Sequence, residues 1–206
     1  MPDSTRKLSQ TSMGSYLEKG ARGVSQILQR MGRDSDLGSL FDALAPTGIG
    51  SFDFGSAECL RVAIPAANGL FTARSLARMY AALANGGELD GTRILSPQTV
   101  ERASTLQKPT GRNSVIPFDM RWRLGYHSVF TTRGIPKQGY GHFGFGGSGA
   151  WADPERGLSV ALILNSGLGS PFGDARTARI SGAALQCANV RELREKVRFP
   201  RLLKTG

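Results

Sequence analysis

Apolar positions recur along this chain first at helical and later at strand spacing. Leu17, Ala21, Val24, Ile27, Leu28 and Met31 stand on one helical face and Gly32 follows, which predicts an amphipathic helix over residues 16–31. Leu37, Leu40, Phe41 and Leu44 predict a shorter second helix. Between residues 45 and 69 the Pro, Gly and Ser content rises and neither period holds, so a long irregular connection is expected there. The clearest helix covers residues 72–84: Thr72 stands at the N-cap, Leu76, Met79, Tyr80 and Leu83 form one stripe, and Asn85, Gly86 and Gly87 end it. Leu89-Asp90-Gly91 signals a turn, and Ser96-Pro97 caps and opens a further helix that should end near Leu106.

After a polar loop the pattern changes, and strands are expected over residues 121–130, 139–145, 147–152 and 158–165. Asp153-Pro154-Glu155-Arg156-Gly157 joins the last two as a hairpin turn, since proline presets φ and glycine accepts a positive one. The run from 158 to 164 is apolar almost throughout, as expected of a strand covered on both faces, so helices should pack on each side of the sheet. Residues 174–188 supply one of them, with Asp174 at its start and Ala178, Ala184, Leu185 and Ala188 among its apolar positions.

A chain of 206 residues with 40% hydrophobic and 20% charged residues suits one globular domain or a large piece of one. No run approaches the roughly 18 apolar residues of a membrane span, and residues 1–14 lack the apolar core of a secretory signal, so the chain as written reads as cytoplasmic. Cys59 and Cys187 form one pair at most, lie too far apart for a metal or redox motif, and read as buried thiols. The net charge of +10 raises the question of an anionic partner. It sits at the ends: residues 1–33 and 189–206 each hold six basic and two acidic side chains, against fourteen and twelve between them. The tail offers only Phe199 as an aromatic, so no nucleic-acid partner is expected. Val190, Leu193 and Val197 place one apolar side on a short tail helix, solvated or, alternatively, in weak contact with an anionic membrane surface.

Gly144-Phe145-Gly146-Gly147-Ser148-Gly149 matches the letters of a dinucleotide fingerprint, but that motif needs a following helix and a hairpin is expected here. Its glycines, Gly144 and Gly146 among them, are read instead as permitting a tight turn and close approach of a substrate to the backbone. Ser148 stands in a Gly-x-Ser-x-Ala run, one residue from a nucleophile elbow, yet it is placed in a strand, not at a strand-to-helix turn. His127 and His142 are the only histidines, which excludes a histidine-rich metal site; His127 is read as a structural or surface residue.

The run from Tyr140 through His142-Phe143-Gly144 and Gly149-Ala150-Trp151 to Pro154 resembles the strand pair beside the active site of β-lactamase-like serine hydrolases, which include class C β-lactamases, D-alanyl carboxypeptidases and related esterases. Pro65-Ala66-Ala67-Asn68-Gly69, the helix from Thr72 to Tyr80, Gly86-Gly87-Glu88-Leu89, Leu95-Ser96-Pro97 and Arg121-Trp122-Arg123-Leu124-Gly125-Tyr126 are similar to the same family in the same order, over about residues 65–188. The resemblance implies an α+β fold, a β-lactamase/transpeptidase-like antiparallel sheet with helices on both faces, here with the N-terminal strands and nucleophile helix missing. It divides the chain into a divergent helical and loop segment (1–64), the C-terminal part of the domain (65–188) and a basic tail (189–206). In this family a Lys-Thr-Gly or His-x-Gly strand faces a Ser-x-x-Lys nucleophile and a Tyr-x-Asn loop. By the resemblance His142 supports the proton network or touches the substrate, Gly144 admits the acyl group, and the N–H of Phe145 is an oxyanion donor. Phe143 replaces a threonine whose hydroxyl would bind a substrate carboxylate, which favours an esterase over a β-lactamase.

Ser4-Thr5-Arg6-Lys7 fits Ser-x-x-Lys by letters only, because the residues after it are too polar for a buried helix, and Tyr16-Leu17-Glu18 lacks the asparagine of Tyr-x-Asn. The expected parent chemistry is cofactor-free, metal-independent hydrolysis of a small-molecule ester or amide through a seryl-acyl intermediate, with the serine activated by an adjacent base. The chain is expected to be inactive alone. It is then a truncated gene product, a non-catalytic relative that binds ligands or partners, or a chain completed by an N-terminal half on another polypeptide.

Overall fold

The computed structural model describes residues 55–65, 69–108, 119–144, 146–165 and 174–198, together with Arg30 and Asp53. The helix expected near 37–44 and the Ser4–Lys7 and Tyr16–Glu18 matches lie outside the described residues, as does the helix over 16–31 apart from helical Arg30.

Within the stretch expected to be irregular, a short helix forms, α1 (Ala57–Arg61), because the Ser56 hydroxyl accepts from the Cys59 N–H at 3.1 Å. One and a half turns are too few to leave a period in the sequence. Helix α2 (Ala73–Ala84) begins in a reciprocal capping box between Thr72 and Ser75. Its stripe is Leu76, Tyr80 and Leu83; Met79, expected there too, is exposed. Gly87 has φ +92° and lies so close to the chain beyond the next hairpin that a Cβ would stand 2.2 Å from the Leu95 carbonyl oxygen. That hairpin, β1 (Glu88–Leu89) and β2 (Thr92–Arg93), turns through Asp90 and Gly91, both at positive φ. Helix α3 (Pro97–Ser104) is capped by Ser96 and stops short of Leu106.

The main sheet is antiparallel in the order β3 (His127–Ser128), β4 (Tyr140–Phe143), β5 (Gly149–Asp153) and β6 (Leu158–Leu162). Of the strand expected over 121–130 only two residues pair, because Arg121 (φ 52°) and Gly125 (φ 80°) reverse the chain and the Arg123 N–H closes back on the Tyr126 carbonyl at 2.8 Å. Alternation then sorts the sheet into two faces. Tyr140, Ala150, Ala152 and Ala161 meet Tyr80 and Leu83 of α2 and Val100 of α3 on one; Phe143, Trp151, Leu158 and Val160 meet Val129 and Leu185 on the other. Leu185 belongs to α4 (Ala175–Arg198), so helices cover both faces as expected. Helix α4 also continues past Ala188 into the basic tail in place of a separate short helix. Strand β6 is only half-buried along its length and Ile163 is exposed, so it is less covered than its apolar run suggests; among the described residues β5 is its only strand partner. Cys59 is buried, whereas Cys187, expected buried, is exposed.

The hairpin turn between β5 and β6 is fastened to α4. The fully buried Asp153 carboxylate receives Arg156 Nη1 at 2.8 Å and the Glu155 N–H at 3.1 Å, while Arg156 Nε donates to Asn189 Oδ1 at 2.7 Å. Replacing Arg156 with alanine takes the counter-charge from a buried carboxylate and removes the bond to Asn189, while the Arg191 side chain still reaches the carbonyl of residue 156 at 2.9 Å, and is expected to cost about 2 kcal/mol. A urea titration of the variant against the parent checks this; an unchanged midpoint would show the clasp to be ornamental.

Candidate active site

Strand β4 carries the candidate chemistry on its second half. Strand β3 pairs with its first two residues, Tyr140 with Ser128 and Gly141 with His127, and no described strand pairs beyond them on that edge. Along β4 the backbone donors alternate: the Gly144 N–H bonds the Ser148 carbonyl on the β5 side at 2.9 Å, so the Phe143 N–H points to the opposite edge. There it meets His127 Nε2 at 3.3 Å. Close approach at this point needs glycine: a Cβ on Gly149 would stand 2.2 Å from the His142 carbonyl oxygen and one on Gly141 2.1 Å from that of Ala150.

Of the residues singled out in the sequence, His142, Phe143 and Gly144 are consecutive on this strand and its exit, and Gly146 (φ +87°) lies in the turn that follows. The His142 imidazole is exposed, and the packing around the rest of the ring holds its pKa below the ordinary value by desolvation. It is therefore neutral at pH 7 and able to accept a proton. Phe143 turns its ring to the opposite face, into the cluster of Val129, Trp151 and Leu185, and leaves only its N–H at the edge. Phe145 lies outside the described residues.

Gly147 (φ +90°) is wedged against α4, where Thr177 Oγ1 donates to its carbonyl at 2.9 Å. Ser148 precedes β5 instead of lying within a strand. Its hydroxyl accepts from the Leu164 N–H at 2.9 Å and reaches the Leu164 carbonyl at 3.4 Å, which ties the turn to the end of β6 and occupies the oxygen a nucleophile would need.

Behind the strand lies a layer that the sequence did not announce. Tyr126 stands edge-on to Tyr140 at 5.3 Å and to Tyr80 at 6.2 Å. The Tyr140 hydroxyl donates to the Leu83 carbonyl at 3.3 Å. Burial raises the pKa of all three phenols, that of Tyr140 to about 12, so they are neutral scaffolding and not bases at pH 7. Arg123 is buried alongside, with Nε on the Ser104 carbonyl at 2.7 Å, Nη1 on Ser128 Oγ at 2.8 Å and its guanidinium 6.0 Å from the Tyr140 ring centre. Three tyrosines scattered between residues 80 and 140 offer no local spacing from which this contact follows. Among the described residues no group of three or more His, Cys, Asp or Glu could hold a metal ion, and no helix is long and apolar enough to cross a membrane.

A family model described as Beta-lactamase matches residues 8–185. "Esterase/beta-lactamase LipL" of Mycobacterium tuberculosis (strain ATCC 25618 / H37Rv) is 46% identical over 113 residues, which are 54% of this chain and 25% of that protein. The crystal structure of a novel penicillin-binding protein homolog from Caulobacter crescentus covers 71% of this chain with 36% identity and a TM-score of 0.61. The chain in turn covers 39% of that structure, so it spans well under half the length of either relative.

Proposed function

Since this chain belongs to the beta-lactamase family, we propose that it carries the His-x-Gly wall of an ester-hydrolysing serine site and does not turn over substrate until a Ser-x-x-Lys segment is added to it. The observation that carries this reading is the exposed, neutral His142 on a strand whose outer edge has no described strand partner beyond Gly141. An acyl group laid along that edge reaches the backbone at Gly144, where no side chain intervenes. His142 then takes or returns the proton that moves between serine and leaving group, a step worth about a hundredfold or more in rate. The N–H of Phe145 is the proposed oxyanion donor. Phe143 supports an ester over an amide or β-lactam substrate, because this position offers no hydroxyl for a substrate carboxylate and its ring is committed to the core.

The added segment is an N-terminal half of the family fold that carries the Ser-x-x-Lys motif. Neither serine that the sequence raised as a candidate serves instead: Ser148 is held by Leu164, and Ser4 stands before a polar run. The test is hydrolysis of p-nitrophenyl butyrate and nitrocefin by the chain alone and mixed with the N-terminal half of a relative such as LipL. Expected are no turnover alone, ester turnover in the mixture, and loss of about a hundredfold when His142 is replaced by alanine in the mixture. Turnover by the chain alone, with fluorophosphonate labelling at Ser4 or Ser148, would overturn the reading. Saturable substrate binding without turnover in the mixture would favour a non-catalytic binding module instead.

A further inference from the structure

Among the described residues near this edge, His127 has a ring whose two nitrogens each meet a partner that cannot exchange roles. Its Nδ1 lies 2.9 Å from the Ser128 carbonyl oxygen, which only accepts, so Nδ1 carries the proton. Its Nε2 lies 3.3 Å from the Phe143 nitrogen, whose N–H only donates, so Nε2 presents a lone pair. His127 is 4% exposed, and its ring stands edge to face with Trp122 at 5.9 Å and with His142 at 5.3 Å. We propose that His127 is a positioning residue for the β4 edge: as the Nδ1–H tautomer it covers the Phe143 N–H and seats the His142 imidazole, and it releases both when it takes up a proton. The proposal rests on the reading that His142 lines the site, and it adds an acid switch to that site.

Protonation would place an N–H on Nε2 directly opposite the Phe143 N–H, so the hydrogen bond is lost and two donors face each other. The groups that act on the ring electrostatically push the same way. Arg123, from the segment before β3, is cationic, and His142, from β4, gains the same charge in acid. Burial is the largest contribution, and together these hold His127 below the ordinary histidine value, although the bond to Ser128 opposes them. A base with a depressed folded pKa favours the folded arrangement fully above its unfolded value of about 6.5 and loses that contribution as pH falls through the folded value. The edge is therefore held at neutral pH and freed in acid.

Long-range proton–nitrogen correlation on the histidine rings, with the backbone amides followed from pH 8 to pH 4.5, tests this on the unaltered chain. Expected are a protonated Nδ1 and bare Nε2 on His127 at pH 7.5, and a Phe143 amide that shifts with the His127 titration. His127→Gln, whose carboxamide oxygen also accepts, should remove the part of the Phe143 shift that follows the His127 titration and leave only the part that follows the neighbouring His142. His127→Leu should speed its exchange at pH 7.5 by about three- to tenfold. An Nε2–H tautomer, or a Phe143 amide indifferent to the His127 titration, overturns the proposal without recourse to a variant. None of these signals depends on ester turnover, so a chain that shows them and never supports hydrolysis refutes the function of the site and leaves the positioning role standing.

Discussion

Alanine at Trp151 is expected to lower the unfolding free energy by about 3–5 kcal/mol, a large part of the roughly 5–15 kcal/mol available to a domain. Trp151 is fully buried at the centre of β5, opposite Gly141 on one side and Val160 on the other. Its ring fills the space between the sheet and α4 against Val129 and Leu185. Its Nε1 donates to Ser181 Oγ at 3.0 Å, and Ser181 is buried as well. Truncation thus combines a large cavity with a polar group left unpartnered. Phenylalanine at 151 separates the two effects, because it keeps most of the packing and removes only the donor; it is expected to cost about 1–3 kcal/mol. Urea unfolding followed by far-ultraviolet circular dichroism measures both. A parent-like midpoint for the alanine variant would mean that α4 is not held to the sheet through this residue.

The helix starts were legible because their signals are local. Thr72 and Ser96 each reach a backbone N–H three residues on, so the sequence spacing is already the hydrogen bond. The hairpin turn at 153–157 was legible for the same reason, with Gly157 at φ +55° and the Arg156 N–H on the Asp153 carbonyl. Strand extents were not. Residues 121–130 have a strand's composition, but two left-handed residues and a backbone bond from Arg123 to Tyr126 take most of them out of the sheet. Met79 matches the stripe of α2 by spacing but is exposed, while Leu76, Tyr80 and Leu83 pack on the core. The apolar run of β6 likewise overstated its cover.

Around the candidate site the sequence predicted the strand and not the residues that pack against it. His142 and Gly144 were found through a motif, and nothing in the spacing says that Phe143, between them, sends its ring to the far face; that follows from the pleat once the register is known. His127 read as a structural or surface residue; it is buried, with bonds on both nitrogens, and its partner at Phe143 is sixteen positions away across a strand pair. Such a contact becomes visible only when β3 and β4 are aligned.

The same alignment makes Gly149 the position where the smallest change should do the most damage to the site. A methyl group there would stand 2.2 Å from the His142 carbonyl oxygen and 2.7 Å from both Cα and Cδ1 of Phe143. Two of these three atoms are backbone, so no rotamer change relieves the contact and β4 must move away from β5. The sheet ladder between Phe143 and Gly149, and the neighbouring bond from Gly144 to Ser148, would stretch with it. Gly149→Ala is therefore expected to cost about 3 kcal/mol or more, at the upper end for overpacking, and to shift the ring signals of both His142 and His127. Gly91→Ala is the control: its φ is +76° and nothing lies within 4 Å of the added methyl, so only backbone strain of about 1–2 kcal/mol is expected and the histidine signals should not move. Thermal melts and histidine ring spectra of the two variants distinguish strain from displacement. Equal melting losses with unmoved histidines in both would mean that the β4 edge tolerates the methyl and that its position is not fixed by contact with β5.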